Sequence, residues 1–299
     1  MSRQPLTLLR LTRHLLLTML FTSLVGCSIG GTLATLTPGD TGETAFDQSF
    51  GEHPRDRADV YMPASPQASD ADGSNTLRPL VVFIYGGSWR SGSRSTYQFV
   101  GKALADLGYV TVIPDYRVYP EVKFPGFIQD NARAVAWAAG MAEQWGADPN
   151  RIVLVAHSAG AYNAAMLLTD PAYLGEVGIA ADRMAGFVGL AGPYDFYPIL
   201  NERVMPVFSH PDYPSNSQPI KLVHDNLPPS FIGSASEDEL VNPQRNAAQL
   251  AELLDEQGVP VTLKLYDRVG HMTLIGSFAG PLRWLAPVLD DVAAFLNQL

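Results

Sequence analysis

Four short segments of this sequence carry residues able to do chemistry. The first is Ala156-His157-Ser158-Ala159-Gly160, set between the apolar run Arg151–Ala156 and a helical pattern. A serine on a sharp strand-to-helix turn has its hydroxyl pushed out of the sheet into an exposed, strained position. Small residues two before and two after it let strand and helix pass close together. The helix behind Ser158 also aims its positive end at that hydroxyl. A hydroxyl becomes a useful nucleophile only beside a base, and the base needs a group to orient it.

His271, in Arg268-Val269-Gly270-His271-Met272, is the last of six histidines and follows the strand-like run Val261–Tyr266. Its place after the last strand makes it the expected general base. The orienting acid is expected in Ser236-Glu237-Asp238-Glu239-Leu240-Val241, between serine and histidine in chain order. Asp238 is preferred, because Leu240 and Val241 would dock on the core and turn it inward. Glu237 stays open as the alternative. The fourth segment is Tyr85-Gly86-Gly87-Ser88-Trp89. Paired glycines let a backbone approach a substrate closely, and fixed N–H groups stabilise the oxyanion formed at an attacked carbonyl. Gly87 and Ser88 are the expected donors, with Ala159 as the third.

Those segments need elements to position them. Leu80–Tyr85 and Arg151–Ala156 are continuous apolar runs, the pattern of strands buried on both faces of a parallel sheet. Further strands are expected at 109–113, 185–190, 230–233 and 261–266. Helices are expected at 96–107, 128–145, 159–168, 243–257 and 284–296. This alternation predicts an α/β fold, with a mostly parallel sheet covered by helices on both faces. In such sheets the site lies at the carboxyl ends of the strands. The aromatic stretch Pro193–Pro229 is too short for more than a small cap or pocket wall, so an open site taking small acyl groups is expected.

Together the segments resemble the esterase/lipase branch of the α/β-hydrolases, with its hormone-sensitive-lipase-like, feruloyl-esterase-like and kynurenine-formamidase-like carboxylesterases. The resemblance runs from about Val81 to the C-terminus. It includes Asp115-Tyr116-Arg117, Phe124-Pro125 and Asp130, whose charged residues read as structural. It implies acyl-ester hydrolysis through Ser158, Asp238 and His271, with neither cofactor nor metal. The histidines also lack metal-ligand spacing. Two positions depart from the family pattern: Ala156 replaces its first glycine, and Tyr85 replaces a histidine that braces the oxyanion loop. Two other readings remain open, amide or formamide hydrolysis and a non-catalytic envelope protein that uses the fold for binding.

The 299 residues suffice for one large α/β domain, and 46% are hydrophobic. A net charge of −10 without a basic stripe excludes nucleic acid as an expected partner. Arg3, Arg10 and Arg13 precede an apolar run, Leu15–Val25, that is shorter than the roughly 20 residues needed to span a bilayer. That pattern reads as a secretory signal. Leu24-Val25-Gly26-Cys27, holding the single cysteine, resembles the lipobox of bacterial lipoproteins. The expected organisation is a signal peptide over 1–26, a lipidated tether over 27–57 and the catalytic domain over 58–299. Lipid on Cys27 would hold the protein at the bacterial envelope, with Ser28 favouring the outer membrane and a site facing the periplasm.

Overall fold

The computed structural model describes residues 29–37, 41–64 and 77–299. Its centre is an eight-stranded sheet in the order β1-β2-β4-β3-β5-β6-β7-β8. The strands are β1 (Thr41–Ser49), β2 (Arg57–Pro63), β3 (Arg78–Ile84), β4 (Thr111–Pro114), β5 (Ala147–His157), β6 (Met184–Leu190), β7 (Ser230–Ala235) and β8 (Val261–Tyr266). β1 pairs antiparallel with β2, and β2 with β4; every later pairing is parallel. The alternation of strand and helix predicted such a mostly parallel α/β sheet, and the resemblance implied the α/β-hydrolase fold that it forms.

The central strands are buried on both faces because their side chains are almost all apolar. Leu80 to Ile84, Ile152 to Ala156 and Phe231 to Ile232 lie in one continuous core. Helices cover the two faces: α1 (Ile29–Leu36), α2 (Gln98–Asp106), α3 (Gly126–Met141), α4 (Ala159–Thr169), α5 (Ala172–Glu176), α6 (Gln249–Glu256), α7 (His271–Gly276) and α8 (Val288–Leu296). The expected helix 243–257 opens with a π turn at Gln244–Ala248, and that at 284–296 is interrupted before Val288. Between β6 and β7 the chain forms only short 3₁₀ turns, at Met205–Phe208 and Pro219–Lys221, so no cap domain stands over the sheet.

One expected boundary moves. Residues 29–36 and 41–57 do not behave as tether: Ala34 of α1 is buried in the core, and β1 is the outermost strand of the sheet, with Ala45 and Gln48 paired to Val60 and Ala58. The polar residues of β1 lie mostly exposed, as suits a strand at the edge of a sheet. Cys27 and the signal-like segment lie outside the described residues. Among the described residues no helix is long and apolar enough to cross a membrane.

Packing is close where α4 leaves β5 and crosses beneath β3. A Cβ on Gly160 would fall 2.1 Å from the Ile84 carbonyl oxygen and 2.5 Å from that of Tyr85. Backbone cannot yield as a flexible side chain would. Gly160→Ala is therefore expected to destabilise the fold by about 1–3 kcal/mol through overpacking, read from a urea melt against wild type.

Candidate active site

Ser158 stands at the end of β5 as the residue from which α4 starts, with φ 55° and ψ −126°. A non-glycine residue at positive φ stores strain. The strain is held by the Ser158 N–H donating to Leu190 O at 2.8 Å and by Ser158 O accepting from Tyr162 N–H at 3.1 Å. Ala156 causes no difficulty at the position where the family carries glycine: it is fully buried and in register between Ile84 and Gly189.

The structure brings the three predicted residues together. Ser158 Oγ–H faces His271 Nε2 at 2.8 Å, and His271 Nδ1 faces Asp238 Oδ2 at 2.8 Å. His271 is the first residue of α7, which is fastened by the Gly270 N–H donating to Thr273 Oγ1 at 2.8 Å. Asp238, not Glu237, meets the imidazole; Asp238 is buried and Glu237 is exposed.

The reason differs from the one expected. Leu240 does not dock on the core, being 73% exposed. Instead the Leu240 and Val241 N–H groups both donate to Asp238 Oδ1 at 2.9 Å, leaving Oδ2 aimed at His271. Burial pushes the Asp238 carboxyl up, but the hydrogen bonds from His271 and these two amides outweigh it. The net pKa lies below the ordinary value, so the acid stays ionised beside the imidazole.

The oxyanion loop runs against the nucleophile. A Cβ on Gly86 would lie 2.8 Å from Ser158 Cβ, and one on Gly87, at φ +145°, would lie 2.0 Å from Ser91 O. Gly87 O accepts from the N–H groups of Arg90 and Ser91 at 3.0 and 3.1 Å. A trans peptide sets its C=O and N–H on opposite sides, so the Ser88 N–H is turned away from those donors. By the same reasoning, Ser158 O points down α4 and the Ala159 N–H points out of it. Ser88 and Ala159 both line the cavity that holds Ser158 and His271; Gly87 does not line it.

Tyr85, standing where the family has histidine, keeps the loop braced by another route. Its ring stacks between Tyr97 and Tyr116, with centroids at 5.6 and 4.8 Å, and its hydroxyl donates to Asp115 Oδ1 at 2.8 Å. Burial and the Asp115 charge push the Tyr85 phenol well up, so it remains a donor. Tyr116 Oη–H in turn donates to Tyr85 O at 2.8 Å. Arg94 binds Asp115 as well, together with Asp59 on β2 at 2.9 Å and Asp47 on β1 at 2.6 Å. Arg117 and Asp130 form a second clamp at 2.6 and 2.8 Å. These contacts agree with the structural reading of both charge sets.

The cavity beside Ser158 measures about 200 Å³ and is walled by Trp89, Phe196, Ile199, Leu200, Val204, Leu240 and Val241, with Asn201 at one side. Sequence reasoning marked the aromatics of 193–229, and of these Phe196 reaches the cavity. Phe208 instead supports Trp89 from behind, edge to face at 5.0 Å, and Tyr197 packs against Tyr213 at 5.1 Å. Trp89 is further fixed by its indole N–H donating to Asn163 Oδ1 at 2.9 Å. Among the described residues no cluster of three or more His, Cys, Asp or Glu side chains could hold a metal ion.

A family model described as BD-FAE matches residues 58–254. The chain belongs to the BD-FAE family. This is an α/β-hydrolase esterase family, and the matched stretch contains the oxyanion loop, Ser158 and Asp238, while His271 lies beyond it. Among curated relatives, the BD-FAE chain is 31% identical over 271 residues to isoprenylcysteine alpha-carbonyl methylesterase ICME of Arabidopsis thaliana, covering 83% of this chain and 61% of that protein. It is 28% identical to esterase LipC of Mycobacterium tuberculosis, covering 84% of this chain and 64% of the relative. The chain thus spans less than two thirds of the length of either. Among solved structures it resembles the hyperthermophilic esterase of Pyrobaculum calidifontis, with TM-score 0.69, 25% identity and 90% of each chain covered. It shares the fold of a truncated carbohydrate esterase from gut microbiota, with TM-score 0.67, 17% identity, and 88% and 98% of the two chains covered.

His157 is fully buried beside the site, and burial, with the neighbouring His271, holds its pKa down from the ordinary 6.5 to about 3. An imidazole that is neutral when folded and titrates normally when unfolded gains a proton on unfolding. Its contribution to stability is therefore intact above about pH 6.5 and is lost progressively toward pH 3. The melting temperature is expected to fall between pH 6.5 and 5, and His157→Gln is expected to flatten that fall in calorimetry at matched ionic strength.

Proposed function

We propose that this protein is a serine carboxylesterase that hydrolyses short-to-medium acyl esters through an acyl-enzyme on Ser158. The observation that carries this reading is the unbroken line Asp238–His271–Ser158, two contacts of 2.8 Å each, ending at the mouth of an apolar cavity. His271 Nε2 takes the hydroxyl proton as Ser158 Oγ attacks the ester carbonyl. The N–H groups of Ser88 and Ala159, the two expected donors that border the cavity, stabilise the resulting oxyanion. Collapse of the tetrahedral intermediate expels the alcohol, which leaves with the proton held by His271. Water, deprotonated by the same imidazole, then attacks the acyl-enzyme and releases the carboxylic acid, restoring the Ser158 hydroxyl.

The cavity supports the acyl range. A void on the order of 150 Å³ admits a benzene ring, so about 200 Å³ suits an acyl group of a few carbons or a single ring. Its walls carry no Asp, Glu, Lys or Arg, which favours neutral, apolar acyl groups over charged ones. The names of the curated relatives, a methylesterase and an esterase, agree with ester bonds as the target.

Turnover of p-nitrophenyl acetate and butyrate tests the assignment. Ser158→Ala is expected to lower kcat on the order of 10⁶-fold and to abolish fluorophosphonate labelling. Asp238→Asn is expected to cost about 10⁴-fold, because the amide stabilises the wrong imidazole tautomer. Wild-type rates from a folded Ser158→Ala variant would sink the reading, and faster turnover of N-formylkynurenine than of any ester would reassign the enzyme to formamide hydrolysis.

We further propose that lipid on Cys27 tethers the protein at the bacterial envelope, with the outer membrane and a periplasmic site favoured by Ser28. The support is sequence alone: arginines, a short apolar run and Leu24-Val25-Gly26-Cys27. Metabolic labelling with a palmitate analogue is expected to mark the wild type, whereas Cys27→Ala remains unlabelled and leaves the membrane fraction.

A further inference from the structure

We propose that His157 is a positioning residue, which holds the backbone of the base in place against both the nucleophile and the oxyanion loop. This rests on the esterase reading given above. His157 precedes Ser158 on β5, and its Nε2 lies 3.1 Å from the main-chain carbonyl of His271, across 114 residues of sequence. A carbonyl can only accept, so Nε2 carries the hydrogen and donates it. The two imidazoles sit with centroids 5.0 Å apart. On its other edge His157 stands beside the oxyanion loop, close enough that a Cβ added to Gly86 would lie 3.3 Å from His157 Nδ1. One side chain therefore hydrogen-bonds the segment that carries the base, lies next to the segment that carries the oxyanion donors, and is joined directly to the nucleophile.

The arrangement has a cost that packing does not explain. With Nε2 donating, Nδ1 is a bare lone pair, and it is buried without a hydrogen-bond partner. Such an atom loses its hydration and recovers nothing for it, a cost that a leucine of similar size would avoid. Departures of this kind from good packing concentrate at functional sites. Because burial keeps the ring neutral, the tether adds no positive charge beside His271, where one would oppose formation of the imidazolium during catalysis. Asp238 orients the His271 ring through Nδ1, whereas His157 fixes the main chain from which that ring projects. The two constraints act on different atoms of the same residue.

Three variants test this, each characterised by thermal melting and by kcat and KM on p-nitrophenyl acetate. His157→Leu removes the donor and the unpaired lone pair together. His157→Asn places an amide near Nδ1 and leaves Nε2 empty. His157→Gln places an N–H near Nε2. A displacement of the base by about 1 Å is worth on the order of 10²-fold, so the leucine and asparagine variants are expected to lose about 10- to 100-fold in kcat. KM should stay within about twofold, and the leucine variant should be at least as stable as wild type on the cost just given. Glutamine should recover most of the loss. The proposal is overturned if folded leucine or asparagine variants keep wild-type kcat, or if glutamine is as slow as leucine. Should the leucine variant not fold, the contrast between glutamine and asparagine decides. Wild type that neither turns over an ester nor reacts with a fluorophosphonate would instead overturn the esterase reading, so the two failures are separable.

Discussion

Backbone crowding between β3, β5 and α4 governs the rest of the structure. Gly160 brings the first turn of α4 against the carbonyls of Ile84 and Tyr85, and Gly86 brings the next loop against Ser158 itself. Because the approach is onto main chain at Gly160 and onto the Ser158 Cβ at Gly86, it leaves little freedom for rearrangement. The strained φ of Ser158 and the row of positive φ values at Gly87, Ser88 and Trp89 are the two sides of one contact. Nucleophile and oxyanion loop are thus set against each other before any substrate arrives, which is the condition for electrostatic stabilisation without reorganisation.

Much of this was legible in the sequence, because backbone constraints leave a mark on residue type. Small residues around Ser158 and the paired glycines after Ile84 are the residues such crowding demands. Buried parallel strands were equally readable, since both of their faces are apolar. The chain order of serine, acid and histidine led to the segment 236–241, but the choice of Asp238 within it leaned on a docking of Leu240 that does not occur; its placement rests on two amide donors that no residue type announces. The edge strand β1 was missed because an outer strand need not alternate. The bracing role of His157 left no signal at all, since a hydrogen bond across 114 residues is invisible to local pattern.

Tyr85 stands where the family resemblance leads one to expect a histidine. Here a phenol reaches Asp115 while its ring is clasped between two other tyrosines. Asp115 and Tyr116 are its hydrogen-bond partners, one through the hydroxyl and the other through the main-chain carbonyl. Charged residues that looked merely structural are structural in a specific sense: they fix the loop from which the oxyanion donors project.

Arg94 extends that scaffold to the rim of the sheet, where it meets Asp47 on β1. The family match starts only at residue 58, on the neighbouring strand. A chain trimmed to that limit would keep Ser158, Asp238 and His271, yet lose the strand that covers the outer side of β2. The hydrogen-bonding groups of β2 would then face solvent unpaired, a template for recruiting strands from other molecules. Poor solubility on such trimming would reflect an uncapped sheet, with the hydrolytic centre itself left whole.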